Sequence, residues 1–260
     1  MRLVFIKKII FLLLFSKSFF CFSQNALPYQ LGENLNYDIS FLGINVGKAN
    51  LLISSNEKIN NTDCFHIIGS GKTSPFFDIF FKVRDTYETY LDTVTILPTR
   101  FKRNISEGGF KKKQLYDFNH TDSAVYVKDT LYQILKSSQD MLSALFFART
   151  FEAKDLKIND KFIIPIFMDE ENYFLEIIYL EKDTLKTDFG YIECLVFQPL
   201  MQEGRVFENG EKMKVWISND KNHLLVKVET LIWAGKIEAK LKSFKNLKYS
   251  LKLPLQDLED

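Results

Sequence analysis

The sequence predicts a mainly β protein: one long curled antiparallel sheet, a half-barrel or β-spiral, wrapped around a single buried helix. Three observations carry this prediction. Short runs that alternate apolar and polar residues recur along most of the chain, and a period of two marks half-buried strands. Pairs of Gly, Asn and Asp punctuate those runs at hairpin spacing. One segment between them has neither Gly nor Pro and is apolar on nearly every side.

The first 23 residues read as a secretory signal. Arg2, Lys7 and Lys8 make a basic start, Ile9 to Phe15 is an unbroken apolar run, and Cys21, Phe22 and Ser23 close it. The apolar stretch is shorter than the ~20 residues of a spanning helix, and Lys17 interrupts it, which disfavours a membrane anchor. Cys21 could carry a lipid in a lipoprotein, but Phe19 and Phe20 stand where such signals place small residues, so lipid anchoring there is disfavoured. Residues 24–260 are then one β-rich domain with a central helix near 138–151 and no transmembrane segment once the signal is removed.

Strands follow in order. Asn34 to Phe41 alternates through Leu35, Tyr37, Ile39 and Phe41; Ala49, Leu51 and Ile53 continue, then Phe65, Ile67 and Gly69, then Val83, Asp85, Tyr87 and Thr89. Beyond the helix come Phe162 to Ile166, Phe174 to Leu180, Ile192 to Phe197, Val215 and Ile217, Leu224 to Val228, and Ile237 to Leu241. Asn60-Asn61, Gly108-Gly109, Asn159-Asp160, Asn209-Gly210 and Ala234-Gly235 each divide two strand-like runs. Ser137 to Phe151 is the helical segment, with Ser137 as its cap and Asp140 answering it. A helix with so little polar face is buried on several sides. The tail beyond Tyr249 reads as frayed and solvated.

The totals bound the chemistry. Net charge is +1, and losing the four cations Arg2, Lys7, Lys8 and Lys17 brings it to −3. A weakly acidic chain argues against nucleic acid and against a strongly anionic membrane face. The 25 phenylalanines fit an aromatic core or a genomic base-composition bias equally, so they support no ligand. Cys64 and Cys194 would meet an oxidising compartment, which permits a disulfide if their strands adjoin; two buried free thiols are the favoured reading.

No cofactor or metal signature appears. Gly69-Ser70-Gly71-Lys72-Thr73 resembles the end of a phosphate loop, but His66 stands where the earlier Gly is needed and Pro75 blocks the following helix. His66, His120 and His223 lie far apart, without partners at ligand spacing. There is no nucleophile elbow. Asp169-Glu170-Glu171 reads as a solvated charge run at a turn.

Three constellations stand out. Arg84-Asp85 and Glu107 place charges in apolar strands, so Arg84 or Arg103 should pair with Asp85 or Glu107. Asp140 and Arg149 are the polar marks on the helix; they could cap it and tie it to the sheet, or line a cavity. Trp216 and Trp233 flank turns, where core packing is the default and a stacking platform for a sugar or lipid the minority reading. Arg84, Asp85, Glu107, Asp140, Arg149, Trp216 and Trp233 are therefore the candidate ligand-binding residues; none is assigned as catalytic.

Several segments, taken together, resemble the family known as domain of unknown function 3108. They are Gly32-Glu33-Asn34-Leu35-Asn36-Tyr37, Gly43 to Ala49, Val83-Arg84-Asp85, Leu97 to Phe101, Glu107-Gly108, Gln139 to Leu145 with Arg149, Trp216 to Asp220, and Gly235-Lys236-Ile237. Their order is more specific than any one of them. The resemblance implies an exported protein of Gram-negative bacteria, located in the periplasm, and supplies no catalytic residues. It also suggests likeness to envelope proteins built as a curled sheet around a helix, lipoprotein carriers among them, which is fold analogy.

The functional expectation is a non-catalytic envelope protein that binds a lipid, a lipoprotein segment or a cell-wall component, or acts as a scaffold. The alternative is a hydrolase of envelope polymers working through paired carboxylates among Asp85, Glu107 and Asp140. Two of them within ~10 Å across an open cleft would favour it.

Overall fold

A computed structural model describes residues 27–200, 213–232 and 235–253. The signal segment, Cys21, the Asn209-Gly210 turn, Trp233 and the last residues lie outside this range.

The first eight strands are β1 (Asn34–Phe41), β2 (Ile44–Ile59), β3 (Thr62–Thr73), β4 (Arg84–Asp92), β5 (Pro98–Glu107), β6 (Phe110–Asn119), β7 (Ala124–Val127) and β8 (Thr130–Gln133). Helix α1 (Met141–Ala148) follows. Then come β9 (Lys161–Met168), β10 (Glu171–Thr187), β11 (Gly190–Leu200), β12 (Met213–Ser218), β13 (Leu225–Ile232) and β14 (Gly235–Lys245). All pair antiparallel in one 14-stranded sheet, ordered β8-β7-β6-β5-β4-β3-β2-β1-β14-β13-β12-β11-β10-β9. The first strand therefore lies beside the last, with Asn34 opposite Lys245 and Phe41 opposite Ile237.

Local chemistry explains the hairpins. Asn60 and Asn61 adopt φ of 48° and 65° in the β2–β3 turn, the left-handed conformation that Asn tolerates and a tight hairpin demands. Among the described residues six pairings carry a register shift, including those at Ile53/Ser55, Tyr90/Leu91 and Tyr179/Glu181. Such bulges bend and twist strands, and the outer strands come back into contact. Asn172 Nδ2 on β10 donates to the Gln133 carbonyl at the end of β8 (2.8 Å), and Asp169 N donates to the Tyr116 hydroxyl on β6 (3.1 Å). The sheet does not close, since β8 and β9 do not pair. The peptide of Gln139 stands at that edge: its N–H donates to Pro165 O (2.8 Å) and its carbonyl accepts from Phe167 N (2.9 Å).

Alternation delivers two main cores. One gathers Ile53, Ile67, Leu91, Phe101, Tyr116 and Phe167 with Leu142 and Phe146 of α1. The other gathers Leu35, Tyr37, Ile192, Val196, Trp216 and Leu241. Ala144 of α1 joins Ile164, Ile166 and Met168 of β9 in a third, smaller cluster. Among the described residues no helix is long and apolar enough to cross a membrane.

Several expectations need correction. The helix covers 141–148, not 138–151. Ser137 sits at φ 60° and cannot cap, because an N-cap residue needs extended backbone; Asp140 is the cap. Nor is the helix sealed on every side. Leu142, Ser143, Ala144 and Phe146 are buried, while Met141 is 40% exposed and Leu145, Phe147 and Ala148 are only part-buried. Asn159-Asp160 joins no hairpin, because no strand precedes it after α1. It caps the loop into β9, with Asn159 N donating to Tyr179 O (2.9 Å).

Candidate functional site

The position of α1 is over-determined at both ends. The Asp140 carboxylate accepts from Leu142 N (2.7 Å) and Ser143 N (2.8 Å), and Ser143 Oγ accepts from Asp140 N (2.8 Å). This reciprocal cap satisfies helix N–H groups that otherwise have no partner. Thr89 Oγ1 on β4 donates to the second carboxylate oxygen (2.6 Å) and anchors the cap to the sheet. Burial pushes the Asp140 carboxyl up to about 6 against those hydrogen bonds. At the other end Arg149 donates to both oxygens of Glu33, just before β1, at 2.6 and 3.0 Å.

A helix pinned in this way cannot slide to fill space beside it. Ala144 and Ala148, four apart, share one face, and that face meets β9 to β12. The gap left by their short side chains is a cavity of about 360 Å³. Met141 and Leu145 join the alanines on the helix side; Ile166, Leu175, Phe197, Val215 and Ile217 form the opposing wall. Met168 and Met213 also border it, and methionine adapts to irregular apolar shapes. Arg149, Glu152, Tyr173 and His223 are the polar lining. Arg149 is committed to Glu33 and the Asn222 carbonyl (3.0 Å), and the His223 ring contacts Arg149 O at 2.7 Å. The volume is within the range of small-molecule sites and the lining is dominantly apolar.

The residues singled out from sequence do not converge. Arg84 grips Asp78 in the β3–β4 connection (2.5 and 3.0 Å), not Asp85 or Glu107. Asp85 accepts from Ser106 N (2.9 Å) and shares a hydrogen bond with Glu107, whose carboxyl is raised by burial and by that neighbour. Arg103 reaches Asp169 and Gln114 instead, and Lys112 reaches the same Asp169 oxygen (2.6 Å). The Asp169 turn is thus no solvated charge run. It folds against β5 and β6, where cations meet it, and its carboxyl is held below the usual range; burial opposes this, but the Lys112 and Arg103 contacts prevail. Trp216 is core, donating from Nε1 to Asp183 (2.8 Å) with Lys227 Nζ 4.3 Å above its ring. Cys64 and Cys194 are free and buried, on β3 and β11, with five strands between them in the sheet.

Of the candidate ligand-binding residues that the structure describes, only Arg149 borders the cavity. The acids do not face one another across an open cleft: Asp140 is wholly buried under α1, and Asp85 and Glu107 sit side by side. Sequence reading allowed for a cavity lined by Asp140 and Arg149, of which Arg149 does line one, but missed Glu33 as the partner of Arg149 and the alanine face that borders the cavity. The signal was present as two alanines at helical spacing in a segment otherwise rich in Leu and Phe.

One family model matches the sequence, and one solved β-barrel-like structure shares the fold. A family described as "Protein of unknown function (DUF3108)" matches residues 36–242. A β-barrel-like protein from Brucella abortus, of domain of unknown function DUF1849, superposes with TM-score 0.55 at 8% identity, covering 84% of this chain and 99% of its own. A protein from Bacteroides fragilis NCTC 9343 with a YmcC-like fold aligns over 84% of this chain and 98% of its own, at 10% identity and TM-score 0.34. No curated protein matches the chain.

Proposed function

The chain belongs to the DUF3108 family, and from that premise we propose a non-catalytic envelope protein that holds an acyl chain in the cavity beside α1. The observation that carries this is the cavity wall. The helix presents Met and aliphatic side chains to it and the sheet aliphatic, Met and Phe side chains, and an extended hydrocarbon is the ligand that needs no polar partner. The owner of the chain is a lipid or a lipoprotein segment. A cell-wall sugar fits less well, because it needs planar polar contacts and Trp216 is committed to the core. The hydrolase alternative lacks a carboxylate pair across a cleft.

The rest of the reading follows the sequence. Residues 1–23 act as an export signal, residues 24–260 form one domain curled about α1, and the protein works in the periplasm without a lipid on Cys21. Mass spectrometry of the protein recovered from the periplasm tests export directly, with a mature start near Gln24 expected.

Ligand uptake is tested on exported, delipidated protein with a fluorescent fatty acid as probe and an acylated peptide as competitor. Saturable one-to-one uptake is expected, and the competitor separates lipid from lipoprotein ownership. A chain that takes up neither probe would leave the cavity without a ligand and reduce the protein to a scaffold.

A further inference from the structure

The connection between β3 and β4 reads Ser74-Pro75-Phe76-Phe77-Asp78-Ile79-Phe80-Phe81-Lys82, and it turns its apolar side chains outward. Phe76 is 65% exposed, Ile79 78%, Phe80 73% and Phe81 54%. Neighbouring turns add to it. Ser74 N donates to Val46 O (2.9 Å), which brings up the β1–β2 turn with exposed Leu42 and Ile44. Gly108 N donates to Lys82 O (2.8 Å), which brings up the β5–β6 turn with exposed Phe110. One rim of the sheet therefore carries a contiguous apolar surface. Soluble monomers rarely leave such a surface open without a use for it.

The rim is held rigidly outward. Asp78 accepts from Arg84 and from Thr73 Oγ1 (2.5 Å), and the same Thr73 Oγ1 accepts from Val83 N (2.9 Å). The Phe76 ring packs edge-on against Phe77 and Phe80, at 5.2 and 5.8 Å. With Asp78 neutralised by Arg84, and Glu107 part-buried against Asp85, the fully exposed charges on and near this rim are cationic: Lys72, Lys82, Lys111 and Lys113. Protruding aromatic side chains ringed by lysines suit a membrane interface, where rings sit among the upper acyl segments and ammonium groups reach lipid phosphates.

We propose that this rim docks the protein onto a phospholipid bilayer surface, with Phe76, Ile79 and Phe80 inserted and Lys82, Lys111 and Lys113 on the headgroup phosphates. The chain as a whole is close to neutral, so insertion supplies most of the affinity and the lysines a local preference for anionic lipid. By strand register, Met168 and Met213 of the cavity wall stand at this same end of the sheet. The docking proposal is independent of what the cavity holds.

Vesicle flotation tests it, using phosphatidylcholine vesicles with and without phosphatidylglycerol. The protein should float with both and more strongly with the anionic mixture. Phe76→Ser with Phe80→Ser should lower partitioning by at least about tenfold, a loss of some 1.4 kcal/mol, because two inserted rings are removed. These side chains are exposed, so circular dichroism should be unchanged. Lys82→Glu with Lys113→Glu should abolish the preference for phosphatidylglycerol. Phe80→Trp should blue-shift its emission on adding vesicles, and Ala148→Phe, which closes the cavity, should float as the parent does. A parent chain that does not float, or a double serine variant that floats equally well, overturns the proposal. So does a concentration-dependent dimer in light scattering that the serine pair dissociates, because the rim would then belong to a second copy of the chain.

Discussion

Arg149 and Glu33 form a two-pronged ion pair in which both side chains are almost fully withdrawn from solvent, 2% and 1% exposed. The pair joins three distant parts of the chain. Arg149 ends α1, Glu33 precedes β1, and the Asn222 carbonyl, which accepts from Arg149, belongs to the β12–β13 turn. Asn222 Oδ1 in turn accepts from Tyr249 N (3.0 Å), which ties down the segment after β14. Removing one member strands a charge without water. Arg149→Met or Glu33→Gln alone should therefore cost about 3–5 kcal/mol, while a double replacement by Met and Leu should recover much of it. Urea midpoints of the four proteins decide the matter. Single variants within about 0.5 kcal/mol of the parent would mean water reaches the pair.

Asp140 makes stability depend on pH. Its folded pKa of about 6 lies above the ordinary value of about 3.9 in an unfolded chain. Between those values the native state holds a proton that the unfolded chain has released. This contribution is complete below about pH 4 and is lost as pH rises through 6. Asp140→Asn keeps the cap and removes the titration. The stability of the parent relative to Asp140→Asn should thus improve by about 1 kcal/mol from pH 7.5 to pH 5. Comparing the two proteins cancels every titration that they share. A parallel pH dependence in both would show that water solvates this carboxylate.

Much of the sheet was legible because alternation is a local property. Asn34 to Phe41 reads as a strand from its own residues and is β1 to the residue. β6 was harder, since in Phe110 to Asn119 three consecutive lysines follow Phe110 and hide the period of two. Ser137 and Asp140 are both good capping residues, and only backbone conformation, φ 60° at Ser137, decides between them. The site was least legible. A cavity is a volume between elements, and nothing along the chain says that Ala144 and Ala148 face β9 to β12. The pairing of Arg103 with Asp169 depends likewise on two strands brought together by the bending of the sheet.

The thiols should be inert. Burial pushes the Cys194 thiol up to about 12, with Asp183 and Asp220 adding to it, and burial also raises Cys64. A thiol reacts as its thiolate, so neither should react with an aromatic disulfide reagent in the folded protein, and both should react in denaturant. A reducing agent should leave the melting temperature unchanged. A drop in melting temperature on reduction would reinstate the bridge and would require β3 and β11 to meet.

The alanine face of α1 offers the sharpest separation of binding from folding. Ala148 is part-buried against an open gap, so a larger side chain there can grow into empty volume instead of forcing its neighbours apart. Ala148→Phe should therefore keep or slightly raise the melting temperature while lowering fatty-acid uptake at least about tenfold, a loss of some 1.4 kcal/mol. Leu142→Ala is the contrasting change. Leu142 is buried in the first core, on the other side of the helix. Its truncation should cost about 2–5 kcal/mol of stability, while the alanine face keeps its shape and uptake survives in the folded fraction. If Ala148→Phe destabilises like Leu142→Ala, the gap is closed in solution. If it is stable and still takes up the probe, the acyl chain binds elsewhere.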